Sequence, residues 1–161
     1  MATGSMDHQQ AVGSANLADY LATRKEVLIL QWMVAARKSQ SIPSETLTRL
    51  ELLDHVPKIF DTVTEALRGQ RSDQAMERVQ EAAARHTIVR WVQKYDLRAV
   101  LREVSLLRAE FIAHVHAFAD ANPHLGADVR LSNSQTIHRI LDDVLMDATE
   151  TFLKLGEHAD G

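Results

Sequence analysis

Apolar residues in this chain recur every three or four positions over long stretches, and no stretch alternates strictly between apolar and polar residues. The first pattern is typical of amphipathic helices, whereas half-buried strands need strict alternation. The clearest helical stripe consists of Leu97, Val100, Leu101, Val104, Leu107, Phe111, Val115 and Phe118. The sequence therefore predicts an all-α fold, an antiparallel helical bundle of about six helices of the four-helix-bundle or globin-like kind.

Prolines, glycines and capping residues indicate where the helices begin and end. The first helix is predicted over 17–38, and its apolar second half is typical of a segment that is buried on several sides or lies in a subunit interface. Asp54 is expected to cap a later helix and Gly69 to end it. Asp96 is expected to cap the long helix that follows. Residues 132–135 match the capping-box pattern, which predicts that the last helix begins there.

The length of 161 residues suits a single domain. Residues 1–14 are predicted to be the remnant of an expression tag followed by a mobile leader. The helical domain is predicted over 15–156. Residues 157–161 are expected to be the cut end of a fragment, before an output domain that this chain lacks.

Composition excludes several classes of function. A net charge of −4 and a pI near 6.0 argue against nucleic-acid binding. The chain has no cysteine, which excludes disulfides, thiolate metal sites and cysteine nucleophiles and suits a cytoplasmic location. No apolar run approaches the roughly 20 residues of a membrane span. Phosphate-binding, zinc-protease and serine-hydrolase motifs are also missing, so we expect no catalytic residue, no metal and no cofactor.

Five charged or histidine residues are the candidate ligand-binding residues. His86 and Arg90 are four positions apart on one predicted helix face and could grip an anion or a carboxylate together. Glu103 and Arg108, if buried beside them, would complete a polar cluster that either binds a ligand or is purely structural. His55 stands at the first turn of its predicted helix. A haem bound by His55 or His86 stays open as an alternative, as does an acid–base group of His86, Arg90 and Glu103 in a small enzyme.

The last predicted helix carries a heptad seam in steps of four and three: Ile137, Leu141, Val144, Ala148, Thr151 and Leu155. Such a seam could pack within one chain. It could also form a dimer contact that continues into a downstream domain, and both interpretations stay open.

Several of these segments together resemble the RsbRD-type N-terminal sensor domains. Residues 50–60, which read LELLDHVPKIF, resemble that family's L-x-D-H-[LV]-P segment. Residues 86–90 are similar to its H-x-x-x-R, 95–97 to its G-[YF]-x-L and 101–108 to its E-[YF]-x-x-L-R, in the same order and spacing. The positions that match the family pattern are His55, Pro57, His86, Arg90, Leu97, Glu103 and Arg108. The chain departs from the pattern at Lys94, where glycine is expected, and at Val104, where an aromatic residue is common.

The resemblance implies a non-catalytic, all-helical input domain of a bacterial sensor histidine kinase in two-component signal transduction. The leading hypothesis is a cytoplasmic homodimer that passes a packing change through its last helix to a kinase output domain. The alternatives are a haem- or ligand-binding globin-like sensor, a stress-response regulator with a STAS output domain, and a dimerisation module that binds no small molecule.

Overall fold

The computed structural model describes residues 3–39, 55–70 and 73–159, with side chains from residue 7 onwards. This part of the chain forms six α-helices and a short 3₁₀ helix and contains no strand. The helices are α1 (Thr3–Thr23), α2 (Lys25–Lys38), α3 (Val56–Leu67), α4 (Asp73–Val92), α5 (Leu97–Ala121) and α6 (Gly126–Ala159), with the 3₁₀ helix at Pro123–Leu125. The prediction of an all-α fold is confirmed. None of the described helices is both long enough and apolar enough to cross a membrane.

The predicted first helix over 17–38 is two helices in the structure. The break falls at Arg24, whose backbone angles are φ −111° and ψ 9°. The Arg24 N–H donates to the Leu21 carbonyl at 2.9 Å, and the Thr23 hydroxyl donates to the Tyr20 carbonyl at 2.8 Å. These bonds close the last turn of α1, and α2 begins at the next residue, Lys25.

Residues 3–14, which belong to the predicted tag remnant and mobile leader, lie within α1, and two of them contact α6. The Gln10 amide donates to the Ser132 hydroxyl at 2.5 Å, and the Ser14 hydroxyl donates to Asn133 Oδ1 at 2.7 Å. The predicted capping box at 132–135 is wrong, because α6 begins six residues earlier at Gly126. The polar side chains that suggested a cap serve instead as contacts between two helices.

The other helix ends agree with the sequence wherever the structure describes them. Asp96 caps α5, and its carboxylate accepts a hydrogen bond from the Ala99 N–H at 2.7 Å. Gly69 follows α3 at φ 75°, a left-handed conformation that glycine adopts without a steric penalty. Pro57 occupies the first turn of α3, where no helical hydrogen bond is lost. Asp54, the predicted cap of this helix, lies outside the described residues.

Lys94, two residues after the end of α4, adopts the left-handed backbone conformation that glycine usually takes after a helix. Its φ is 66°, the single positive φ among the described residues other than glycine. The Lys94 N–H donates to the Trp91 carbonyl at 2.9 Å and the Tyr95 N–H donates to the Arg90 carbonyl at 3.0 Å, which together form a Schellman motif. The turn between α4 and α5 therefore forms although glycine is absent.

The core lies where α6 packs against α4 and α5, with α2 against α5 and α3 against α4 and α1. Phe60 of α3 and Phe111 of α5 stack at its centre, with 5.4 Å between the ring centroids. Aromatic stacking inside a dry core adds to the free energy gained from burial. The same core includes the polar side chains of Glu103 and Arg90, which are buried among the apolar residues.

Candidate functional site

A buried carboxylate, that of Glu103 on α5, receives hydrogen bonds from two side chains of α4. His86 Nε2 donates to one carboxylate oxygen at 2.8 Å, and Arg90 Nε donates to the two oxygens at 2.9 and 3.2 Å. Glu103 is 1% exposed, Arg90 0% and His86 7%. The spacing of four residues on α4 thus holds a carboxylate, as the sequence suggested, and the carboxylate belongs to the chain itself. We call these three residues the Glu103 cluster.

Arg90 makes further contacts around its guanidinium group. Nη1 donates to the side-chain oxygen of Gln93 at 3.0 Å, and the guanidinium carbon lies 5.1 Å from the centre of the Tyr95 ring. Within the described part of the chain, Glu103 is the one acidic partner of Arg90. The buried positive charge therefore depends on a single carboxylate for its compensation.

The cluster keeps Glu103 ionised in spite of its burial. Burial by itself raises a carboxyl pKa, but the hydrogen bond from His86 and the nearby charges of His86 and Arg90 outweigh it and lower the pKa of Glu103 below its usual value. The neighbouring Tyr95 shows the opposite balance, because burial raises its pKa to about 12 against the lowering effect of Arg90.

Four helices meet at the Glu103 cluster. The indole N–H of Trp32, on α2, donates to the backbone carbonyl of Glu103 at 2.9 Å. The ring of His55, which precedes α3, lies edge-on to the ring of His86 with 6.3 Å between their centroids. A shift of the cluster would therefore be felt by α2, α3, α4 and α5 together.

A small cavity adjoins the cluster and reaches α6. His86 and Glu103 line it on one side and Val144 and Ala148 of α6 on another, and it offers about 10 Å³ to the centre of a water molecule. That is room for about one water, whereas pockets for small ligands enclose about 300–1,000 Å³. This cavity is thus far smaller than a porphyrin would need.

Arg108 stands apart from the cluster. Its Nη2 donates to Asp142 of α6 at 2.5 Å, in a pair whose side chains are 25% and 58% exposed. The structure thus brings His86, Arg90 and Glu103 together, places His55 against His86, and puts Arg108 in a surface ion pair. Among the described residues, no group of three acidic or histidine side chains is arranged to hold a metal ion.

The heptad seam of α6 is part of the core of the single chain. Ile137, Leu141, Val144 and Ala148 are 0–1% exposed, and Thr151 and Leu155 are half-buried. No residue of 149–159 is fully buried, although Phe152 still packs against the core. The last turns of α6 touch the bundle where Phe152 meets Trp91 at 4.8 Å.

The sequence analysis missed three members of the site. Trp32 was expected in the core or in an interface, but its hydrogen bond to α5 carried no sequence signal. Gln93 is the first residue after the end of α4 and lies three positions after Arg90, a spacing that brings side chains into contact when the helical turn continues. Tyr95 follows the turn at Lys94, and its contact with Arg90 depends on that turn.

Comparison with known proteins identifies no relative. No protein-family model, curated protein or solved structure matches this chain. The kinship with RsbRD-type sensor domains therefore stays a prediction from the residues of the sequence.

Proposed function

We propose that this chain is a non-catalytic signal-input module of a bacterial sensor protein. In this proposal a change of packing around the Glu103 cluster is passed along α6 to an output domain. The output is a histidine kinase, as the resemblance implies, with a STAS domain as the second candidate. The observation that carries the proposal is a charged cluster, at most 7% exposed, at the meeting point of four helices and next to α6.

Burial of the cluster supports a regulatory role over a catalytic one. A general acid or base has to come within hydrogen-bond distance of its substrate. Here His86 Nε2 and the Glu103 carboxylate bond to each other, and Arg90 Nε donates to the same carboxylate oxygen as His86 and, at 3.2 Å, to the other oxygen. Both carboxylate oxygens and His86 Nε2 therefore already have partners within the chain.

A buried ion pair also suits an element with two alternative packings. Such pairs contribute little net stability compared with apolar side chains, but they are costly to break. A signal that favours a different packing of the bundle has to break or rearrange these hydrogen bonds, so it acts on every helix that meets the cluster. Val144 and Ala148 line the same cavity as Glu103, which gives α6 a direct contact with any such shift.

The length of α6 supports its role as the output helix. Its 34 residues extend about 51 Å at 1.5 Å per residue. The last fully buried position is Ala148, and the helix continues for about three turns beyond it, with Phe152 still packed against the core. A rotation or shift at Val144 would reach the end of this rigid helix.

The experiment is a fusion of the whole chain, through α6, to a histidine-kinase core, with one to seven residues inserted after Glu157. We expect autophosphorylation to rise and fall with a period of about 3.6 residues, because each insertion rotates the output by about 100°. A matched series that joins the two domains by a flexible glycine-serine linker should show no period. An output that does not vary with the insertions would rule out transmission through α6.

A variant pair connects the cluster to the output. Glu103→Gln should change the autophosphorylation of the fusion, whereas Asp142→Asn, which removes the acidic partner of a surface pair, should leave it unchanged. Equal effects of the two substitutions would contradict the assignment of the cluster as the input element.

A further inference from the structure

Helix α2 is apolar on both of its sides. Its inner side is buried and consists of Leu28, Ile29, Trp32, Met33 and Ala36. Its outer side presents Val27, Leu30 and Val34, which are 51%, 42% and 50% exposed. These three residues follow each other at intervals of three and four, so they form one continuous stripe on the surface.

Two opposite charges flank this stripe on the same edge. Glu26 and Arg37 are eleven residues apart, which places them within about 20° of each other around the helix and about 16 Å apart along it. Both side chains are exposed, and neither forms an ion pair within the described part of the chain. The edge of the stripe is thus negative at one end of α2 and positive at the other.

We propose that the outer stripe of α2 docks onto the same stripe of a second copy of this chain, with the two helices antiparallel. A two-fold axis near Gln31 and Trp32 places Leu30 against Val34 of the partner subunit. The same axis places Glu26 opposite Arg37 of the partner subunit, because both pairs have their midpoint at that point of the helix. A single two-fold rotation therefore packs the apolar stripes of the two copies together and forms two ion pairs between Glu26 and Arg37.

The occupant is a second copy because the surface complements itself. In a two-fold contact each residue meets the partner's residue at the mirrored position, and apolar meets apolar and acid meets base here. A parallel arrangement would instead bring Arg37 close to Lys38 of the partner subunit. Beside the stripe lies an open groove of about 460 Å³, lined by Leu30, Val34 and Glu110 of α5, which can receive the partner's Leu30.

This inference agrees with the homodimer that the resemblance to RsbRD-type sensor domains implies, and it does not depend on the proposed signal output. It places the contact on α2 and not on the heptad seam of α6, whose first four residues are used by the chain's own core. The test measures association of the chain alone, so its failure is distinct from a failure of signal output in the kinase fusion.

The first experiment is sedimentation equilibrium of the whole chain between 1 and 500 μM, concentrations set by the range of weak dimers at roughly micromolar affinity. We expect a reversible dimer that Leu30→Glu weakens by about a hundredfold or more, because two charges enter the centre of the contact. Met146→Glu is the matched control, since Met146 is an exposed apolar residue on α6, 63% exposed. Circular dichroism verifies that both variants are folded. A wild-type monomer at every concentration, or a dimer lost in Met146→Glu and kept in Leu30→Glu, would overturn the proposal.

A charge reversal tests the antiparallel direction. Glu26→Arg and Arg37→Glu should each weaken the dimer by about three- to tenfold, because each creates two like-charged pairs. The double variant should recover an affinity close to that of the wild type. If the double variant is as weak as the sum of the two single variants, Glu26 does not meet Arg37 of the partner subunit, and the proposed pairing is wrong.

Discussion

Replacement of Glu103 by glutamine should be the most damaging isosteric change in this chain. Glutamine keeps the size of the side chain but removes the charge that compensates Arg90, whose side chain is 0% exposed. Loss of one partner of a buried ion pair costs about 3–5 kcal/mol. Gln93 and the face of Tyr95 stay in contact with the guanidinium group, so we expect a loss near the lower limit, about 3 kcal/mol.

Urea denaturation followed by circular dichroism measures this loss. With a slope of about 2 kcal/mol per molar urea, the midpoint should fall by about 1.5 M. Asp142→Asn is the control, because it removes the carboxylate of an exposed pair with Arg108 and should cost less than about 1 kcal/mol. If Glu103→Gln unfolds within about 1 kcal/mol of the wild type, the carboxylate does not compensate a buried charge and our description of the cluster is wrong.

Ionisation of Glu103 should also make the free energy of unfolding depend on pH. The pKa of Glu103 is lower in the folded protein than in the unfolded chain, so the ionised carboxylate stabilises the fold above the unfolded pKa of about 4.3. That contribution is lost as the pH falls through the folded-state pKa. The difference in unfolding free energy between the wild type and Glu103→Gln should therefore be large at pH 5, about one unit above the unfolded pKa, and shrink as the pH falls further.

Three further predictions concern single positions. Lys94→Gly should raise the unfolding free energy by about 1 kcal/mol, because φ 66° strains every residue with a Cβ, and thermal denaturation would contradict this if the variant melted lower. Gly13→Ala should destabilise the fold by about 1–3 kcal/mol, because the new Cβ would lie 2.7 Å from a methyl group of Val129. Gly156→Ala is the contrasting case. Its new Cβ would lie 3.7 Å from its nearest neighbour, so this variant should stabilise the fold by up to about 1 kcal/mol. In an absorbance titration at pH values from 9 to 13, one of the two tyrosines should ionise only near pH 12, and loss of that late step in Tyr95→Phe would assign it.

The helical type of the elements could be predicted because burial of one face sets the spacing of apolar residues along the chain. The break at Arg24 could not, since neither proline nor glycine stands there and the turn depends on backbone hydrogen bonds to α1. The wrong start of α6 has a related cause. Ser132 matches a local capping pattern, but its contact with Gln10, more than a hundred residues away, is invisible to a local pattern.

The Glu103 cluster was predictable in part. His86 and Arg90 share a helix face at a spacing of four, which could be seen in the sequence. Glu103 lies at the edge of the apolar stripe of α5, about 90° from its centre, so its burial could not be predicted from that stripe. Arg108 could have been separated from Glu103 in advance, because five residues on a helix differ by about 140°. Only the structure shows that the carboxylate bound by His86 and Arg90 belongs to the chain itself. The distance between two helices cannot be read from the residue pattern of either helix.

The stability of the Glu103 cluster can be compared with that of an apolar replacement. Apolar residues of similar volume would be expected to stabilise the bundle as well as the ion pair does, or better by about 1–4 kcal/mol. A triple variant with His86→Leu, Arg90→Met and Glu103→Leu should therefore unfold at the same urea concentration as the wild type or higher. If the cluster is the input element, the kinase fusion with this variant should still be stable but change its output by about threefold or more, in line with coupling energies of about 0.5–2 kcal/mol. If the triple variant has both the stability and the kinase output of the wild type, the charges of the cluster contribute to packing alone. The bundle would then pass its signal to the output domain without the buried ion pair.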